Sequence, residues 1–364
     1  MKIQAAVIHE KDGPFRIEDV ELAPPRTGEI LVKIVASGVC HTDEVVQHQM
    51  IPVPLPAVLG HEGSGVVQEV GECVTEFSPG DRVGFSFGSC GCCASCRSAH
   101  PHACDEFNAI NFGGVMSDGT RRLSQNGREV SSFFGQSSFA TYAVVNQNSA
   151  VKVEDDIDLA LVGPLGCGIQ TGAGAVLNRL RPAFGSTLVV FGCGTVGMSA
   201  IMAARIAGCA KIIAVSGTPS SLELARELGA THGINRKETD DVVAAIKDIT
   251  RGGAHYAIDT TGVPAIIKKA LACLRFMGSA VVLGVAGDMT INVMDELMAE
   301  AKSLIGVVEG DSMPKVFIPQ LLEYYRMGRF PFDRLVTYYD FADINQAFED
   351  SHHGKVIKAV LRME

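Results

Sequence analysis

No cluster of lysine or arginine occurs anywhere in the chain, and the formal charge is -10, from 31 basic and 41 acidic residues. A phosphate backbone or an anionic lipid surface needs a basic patch opposite it, so nucleic acids and membrane surfaces are excluded as partners. The first twenty residues, beginning M-K-I-Q-A-A-V-I-H-E-K-D, carry charges throughout and lack the apolar core and small-residue cleavage site of a secretory leader. This predicts a cytoplasmic protein whose cysteines stay reduced. The most apolar stretch, 187–207, is interrupted by Gly192, Gly194 and Gly197, which argues against a membrane helix. Internal repeats and low-complexity tracts are absent. What remains is a chain of 364 residues, long enough for two domains.

Cysteine is plentiful, with 11 residues. Cys90, Cys93, Cys96 and Cys104 stand as C-x2-C-x2-C-x7-C. Zinc in a structural role takes four tetrahedral thiolates, and these short spacings let one loop wrap the ion, so the run reads as a structural zinc lobe. Cys92 is a fifth sulfur in the same loop and leaves the register open, although omitting it gives the only regular spacing. A disulfide-bonded loop is the alternative, and it is disfavoured because the chain has no secretory features.

Up to about residue 153 the pattern is one of short β runs punctuated by Gly and Pro: 3–8, 29–36, 65–70, 81–85 and 139–145. From residue 188 the rhythm becomes strand, helix, strand, with strands expected at 188–191, 211–215, 232–235, 256–260, 280–285 and 304–308. Helices such as 221–228 and 241–249 fill the gaps. Alternation of this kind predicts an α/β fold whose six-stranded, doubly wound parallel sheet binds a dinucleotide. The tail from Asp311 is expected to pack back on the first domain.

G-C-G-T-V-G, with Gly192, Gly194 and Gly197, follows an apolar strand directly and precedes a helical run. The first glycine permits the tight turn, the second lets a pyrophosphate approach the backbone, and the third lets helix and strand pack closely. An NAD-selective sheet ends its second strand in an acid that holds the adenosine ribose. Here that strand ends V-S-G-T-P-S-S, which puts Ser216 in the acid's place. Ser216, Gly217, Thr218, Ser220 and Ser221 offer donors to a 2′-phosphate, so NADP(H) is favoured over NAD(H). Against this, the loop contains no lysine or arginine as a local countercharge. An ordinary polar turn with relaxed cofactor choice is the plainer reading.

Three further soft or borderline ligands stand apart from the lobe: Cys40 in G-V-C-H-T-D, His61 in G-H-E-G-S-G and Cys167 in G-C-G-I-Q-T-G. A Cys2His set leaves a fourth position for water or substrate, as a catalytic zinc requires. Taken singly, a lone cysteine or histidine is more often a core residue than a ligand.

Taken together and in order, the C-H-T-D motif, Gly-His-Glu, the four-cysteine lobe, Gly-Cys-Gly and the glycine fingerprint resemble the zinc-dependent medium-chain alcohol dehydrogenases over nearly the whole chain. The run P-L-P-A-V-L-G-H-E-G-S-G-V-V with C-H-T-D is similar to the aryl-alcohol, or benzyl alcohol, branch. The resemblance implies a β-rich GroES-like catalytic domain (1–166 and 310–364) and a dinucleotide-binding domain (167–309). It implies two Zn²⁺ per chain, a small-molecule alcohol or aldehyde substrate, and a homodimer or homotetramer. Cys40, His61 and Cys167 become the catalytic zinc ligands, Glu62 an occasional ligand or near neighbour of the ion, Asp43 the group that orients His61, and Thr42 the acceptor of the alcohol proton. His41 and Lys358 are implied at the cofactor pyrophosphate, Thr171 and Val196 at the nicotinamide, and Phe85, Phe87, Ile51 and Ile110 at the substrate.

One departure stands out. Many relatives carry a relay histidine five residues beyond the first ligand, where this chain has Val45; His48 lies nearby, and the proton otherwise leaves through Thr42, the cofactor ribose and water. A thiol-adduct formaldehyde dehydrogenase of the same family is the enzymatic rival, with Arg121, Arg122 and Arg128 as candidate contacts for a charged adduct. A non-catalytic, zinc-bearing, nucleotide-binding redox sensor is the rival from another class.

Overall fold

Apolar side chains at alternating positions of K-I-Q-A-A-V-I bury one face of the strand Lys2–Ile8, and Ala6 through Ile8 are buried on both faces. This strand belongs to an antiparallel sheet of five, in the order Ala57–Val58, Lys2–Ile8, Arg16–Leu22, Leu123–Gln125, Arg128–Val130. A second sheet centres on Glu29–Gly38, which pairs with Gly63–Val70, Tyr142–Asn146 and Lys358–Arg362. Both sheets contribute to one apolar core that includes Ile8, Ile30, Leu59, Phe85, Phe133 and Phe139. The protein is described here by a computed structural model covering residues 1–363.

The third sheet is wholly parallel, in the order His232–Asn235, Lys211–Ser216, Thr187–Phe191, Ala254–Asp259, Leu274–Val282, Ser303–Gly306. Its central strand, T-L-V-V-F, is buried along its full length, as expected of a sheet covered on both faces. The strand order reverses between Thr187–Phe191 and Ala254–Asp259, and ligands of open α/β sheets bind outside the carboxyl ends of the strands at such a switch point. The apolar stretch at 187–207 is therefore this strand followed by the helix Thr195–Ile206, and no single helix among the described residues is long and apolar enough to cross a membrane.

Two units emerge: Met1–Cys167 with Met313–Leu322 and 333–363, and Gly168–Ser312 with Glu323–Phe332. Cys167 falls in the first because the preceding turn is seated on Phe85 and Ser86: the Ser86 hydroxyl donates to Gly166 O at 2.8 Å, and a Cβ on Gly166 would lie 1.8 Å from Phe85 O. Residues up to Ser312 stay with the second unit because Asn178 Nδ2 donates to Gly310 O at 3.0 Å. The tail expected to pack entirely on the first domain instead leaves Glu323–Phe332 in the second unit, where Tyr325 and Phe330 pack on Phe332. The strands Arg16–Leu22, Leu123–Gln125 and Arg128–Val130 were absent from the sequence expectation: charged residues mask the period-two signal in the first, and the other two are only three residues long.

Candidate active site

The strand Glu29–Gly38 ends at Val39, and Cys40 then starts the short helix His41–Gln47. Asp43, in the first turn of that helix, is fully buried and accepts three hydrogen bonds. The Cys40 N–H donates to its Oδ2 at 3.1 Å, the Gly60 N–H donates to its Oδ1 at 3.0 Å, and His61 Nδ1 meets Oδ1 at 3.0 Å. In the neutral ring, with Nδ1 donating to Asp43, the His61 lone pair lies on Nε2, which is buried without a hydrogen-bond partner.

Cys40, His61, Glu62 and Cys167 bring their ligand atoms within 4.8 Å of one another. The Cys40 and Cys167 sulfurs are 4.0 Å apart. Two thiolates on one tetrahedral zinc, each at about 2.3 Å, stand about 3.8 Å apart, so the spacing and the orphaned Nε2 both fit such an ion. Close contact with Cys167, helped by His61, holds the Cys40 thiol well below its ordinary pKa in spite of burial. Burial disfavours a proton on His61, but Asp43 and the Cys40 sulfur hold its pKa well above the ordinary value. Thr42 Oγ1 lies 3.7 Å from Cys40 Sγ.

Glu62 is fully buried against Lys358, whose Nζ is 2.5 Å from Glu62 Oε2 and donates to Val39 O at 2.8 Å. Burial lifts the Glu62 carboxyl to about 7, with Lys358 pulling the other way. A Cβ on Gly38 would come within 2.0 Å of Glu62 Oε2, so only glycine at position 38 leaves room for this carboxylate. Lys358, expected at a pyrophosphate, is here the buried counter-ion of Glu62. His41 is different: its side chain is 71% exposed, with Nδ1 3.0 Å from Glu44 Oε2.

Aromatic rings close over the histidine, and the sequence reading did not single them out. Phe134 stacks on His61 at 4.6 Å between ring centroids, Phe133 meets it edge-on at 5.4 Å, and Phe112 packs against both phenyl rings. Phe133 and Phe134 are carried by a turn in which Phe134, Gly135 and Ser137 have positive φ. Gln136 anchors that turn by donating to His61 O at 3.0 Å and accepting from the Gly63 N–H at 3.3 Å. The run S-S-F-F-G-Q-S-S-F was the available signal. Of the residues expected at the substrate, Phe85 and Phe87 are core side chains at 1% and 3% exposure, while Ile51 and Ile110 are half-buried. Val45 is buried, and His48 pairs with Asp12 at 2.7 Å and approaches Glu44 at 3.9 Å.

The four-cysteine lobe is a second cluster with metal-binding geometry. Cys90 and Cys96 sulfurs are 3.9 Å apart, and no cysteine of the chain is in a disulfide. Backbone N–H groups of Cys92 and Cys93 point at the Cys90 sulfur (3.5 and 3.3 Å) and lower its pKa to about 6. Cys92 itself is exposed and lies outside the cluster.

In the second unit the glycine fingerprint has the geometry its spacing suggests. Gly192 has φ of +96°, where a side chain would be strained, and a Cβ on Gly197 would lie 2.0 Å from Gly192 O. Nothing lies within 4 Å of a Cβ built on Gly194, which leaves open space at the helix N-terminus. Thr171 sits on the helix Gly168–Gly174, packed so closely on Thr195–Ile206 that a Cβ on Gly172 would be 2.0 Å from Val196 O. Ser216, Gly217 and Thr218 line a cavity of about 290 Å³ beyond the strand ends.

Two of the three arginines proposed for a charged adduct are otherwise engaged, and the third, Arg128, is exposed on the strand Arg128–Val130. Arg122 is buried on Glu29 (2.7 Å) and Asp118 (2.8 Å), and Arg121 pairs with Glu129.

Comparison with known proteins agrees with this geometry. Residues 26–155 match the alcohol dehydrogenase GroES-like domain, and residues 195–323 match the zinc-binding dehydrogenase domain. The chain is 46% identical to geraniol dehydrogenase of Castellaniella defragrans (strain DSM 12143 / CCUG 39792 / 65Phen), over 98% of this chain and 97% of that protein. It is 37% identical to S-(hydroxymethyl)glutathione dehydrogenase of Synechocystis sp. (strain ATCC 27184 / PCC 6803 / Kazusa), over 99% and 100%. The crystal structure of benzyl alcohol dehydrogenase from Acinetobacter calcoaceticus superposes with a TM-score of 0.96 at 46% identity, covering 100% of both chains.

Proposed function

The chain belongs to the zinc-dependent medium-chain alcohol dehydrogenase family, and from that premise we propose that it interconverts an aromatic or allylic primary alcohol and its aldehyde, using NADP(H) in preference to NAD(H). The observation that carries the substrate class is the likeness, over nearly the full chain, to the geraniol and benzyl alcohol enzymes. A benzylic or allylic carbon suits hydride loss because the adjacent π system stabilises the developing positive charge. Phe133 and Phe134, as deeply buried as Phe85 and Phe87, seat the His61 ring.

When bound, zinc supplies Lewis acidity towards the substrate oxygen, and the nicotinamide supplies the hydride acceptor. Cys40, His61 and Cys167 would hold a catalytic ion, and Cys90, Cys93, Cys96 and Cys104 a structural one. Asp43 keeps the proton on His61 Nδ1 and so keeps Nε2 free as a ligand. Thr42 takes the hydroxyl proton as the alcohol is oxidised. Val45 has no group to pass that proton on, and His48 is paired with Asp12, so release to solvent proceeds from Thr42 without a histidine at position 45. The Gly192–Gly197 loop would bind the pyrophosphate; Lys358, which the family resemblance also assigns to that group, is here engaged with Glu62. Thr171 and Val196 position the nicotinamide.

Ser216 in place of an acid supports the NADP preference. The thiolate ligands call for a reducing compartment, which supports a cytoplasmic location. Phe276, Met277, Met294 and Met298 are exposed on the unit whose sheet ends in the edge strand Ser303–Gly306, which supports a homo-oligomer. The test is a panel of benzylic, allylic and saturated alcohols, plus a hydroxymethyl thiol adduct, assayed with both cofactors on zinc-loaded protein. Highest kcat/KM for benzylic and allylic alcohols without added thiol is expected. Turnover restricted to the thiol adduct would replace this reading with the formaldehyde one, and no turnover at all would favour the sensor.

A further inference from the structure

An adenosine 2′-phosphate beside Ser216 would find hydroxyls in its own loop but no cation, and chain folding supplies the cation from elsewhere. The strand Lys211–Ser216 pairs in parallel with His232–Asn235, in a register that sets Ser216 opposite Asn235. The next residue, Arg236, donates its backbone N–H to Ser216 O at 2.9 Å. Its side chain then runs alongside Gly217: a Cβ there would lie 3.2 Å from Arg236 Nε and 3.3 Å from Cζ. A bulkier residue at 217 would displace the guanidinium.

Arg236 and Lys269 both line the cavity of about 290 Å³ that opens beyond Ser216, with Val242, Val263 and Ile266 among its apolar walls. No aspartate or glutamate lines it. Both cations are exposed, and among the described residues neither is in an ion pair. An apolar slot suits a purine ring, and two uncommitted cations beside a serine suit a dianion rather than a ribose hydroxyl.

Resting on the NADP reading above, we propose that Arg236, with Lys269 as a second cation, binds the 2′-phosphate of the cofactor and sets the choice of NADP over NAD. Arg236 presents the planar fork that grips two phosphate oxygens at once, whereas Lys269 contributes a point charge. The preference then comes from two halves: no carboxylate at 216 to repel the phosphate, and a guanidinium delivered by the neighbouring strand to attract it.

Zinc-loaded parent, Arg236→Gln, Arg236→Lys and Lys269→Gln proteins are compared by kcat/KM with NADP and NAD, and by calorimetric binding of 2′,5′-ADP against 5′-AMP. Arg236→Gln is expected to lower kcat/KM for NADP by about 10- to 100-fold, to leave that for NAD within about threefold, and to remove the advantage of 2′,5′-ADP over AMP. Arg236→Lys retains part of the preference, and Lys269→Gln loses less than Arg236→Gln. Position 236 is exposed, so unchanged NAD kinetics also report an intact fold. If the parent prefers NADP and Arg236→Gln keeps that preference, the assignment of Arg236 is overturned while the NADP reading stands. If the parent prefers NAD and binds 2′,5′-ADP no better than AMP, both are overturned.

Discussion

The cluster at Cys90, Cys93, Cys96 and Cys104 is drawn from one short run of chain, whereas that of Cys40, His61 and Cys167 gathers its side chains from three separated segments of the same unit. In the lobe, sulfurs are held chiefly by backbone N–H groups of the loop itself, and three of the four are only partly buried. Around His61, by contrast, the supports are distant in sequence: Asp43 on a helix, Gln136 on a strained turn, Phe134 over the imidazole, and Lys358 paired with Glu62. Four thiolates would saturate a tetrahedral ion and leave it a holding role only. Two thiolates and one imidazole would leave a coordination position, with the imidazole oriented by its buried surroundings.

The contrast breaks most visibly with paired ligand deletions. Cys167→Ser is expected to reduce turnover to background while far-UV circular dichroism and Tm stay close to the parent. Cys96→Ser should instead lower Tm, with activity falling only as the protein unfolds. Zinc content per chain, measured alongside, should drop in both; equal loss of folding in the two variants would mean the sites do not have separate roles.

A smaller effect is expected at Thr42, the proposed proton acceptor. Thr42→Val should slow alcohol oxidation by about 10²- to 10⁴-fold with little change in cofactor Kd, the usual value of a positioned proton-transfer group. Stopped-flow oxidation at saturating cofactor reads this directly, and an unchanged rate would remove Thr42 from the chemistry.

Asp43→Asn tests whether the shell, and not the ligands alone, distinguishes the buried centre. With the carboxylate gone, the His61 tautomer is no longer enforced, and zinc affinity at this site should fall by about 10- to 100-fold. Chelator competition is the measurement; the lobe, which has no such support, should hold its ion as before.

The smallest effect concerns a part of the same unit away from both cysteine clusters. Burial alone would raise the Asp118 carboxyl, but the Arg122 guanidinium and Thr120 hold it well below the ordinary value of 3.8. A depressed carboxylate contributes stability that is complete above its unfolded pKa and fades as pH falls through the folded one. Asp118→Asn should therefore lower Tm slightly at pH 7, with the deficit closing towards pH 2. The side chain is 39% exposed, so solvent screening keeps the effect small. A deficit that is the same at both pH values would assign it to packing.

Much of this was readable in the residues themselves. The tetrathiolate spacing, the glycine fingerprint and the alternation of strand and helix are local patterns in which neighbours in sequence are neighbours in space. Cys40, His61 and Cys167 were legible through the motifs around them. Phe133 and Phe134 were not, since buried aromatics are mostly core and nothing local marks a ring that stacks on a distant histidine. Arg122 suggested a contact for a charged substrate, but Glu29, far earlier in the chain, already neutralises it.

Sequence by itself determined the chemistry of each short run: which loop can wrap an ion, which turn can admit a pyrophosphate, which strand lacks its acid. Tertiary structure decided what those runs meet. Parallel pairing set Arg236 beside Ser216, and burial gave Lys358 to Glu62, because charges find partners through strand register and desolvation, which act between residues far apart in the chain.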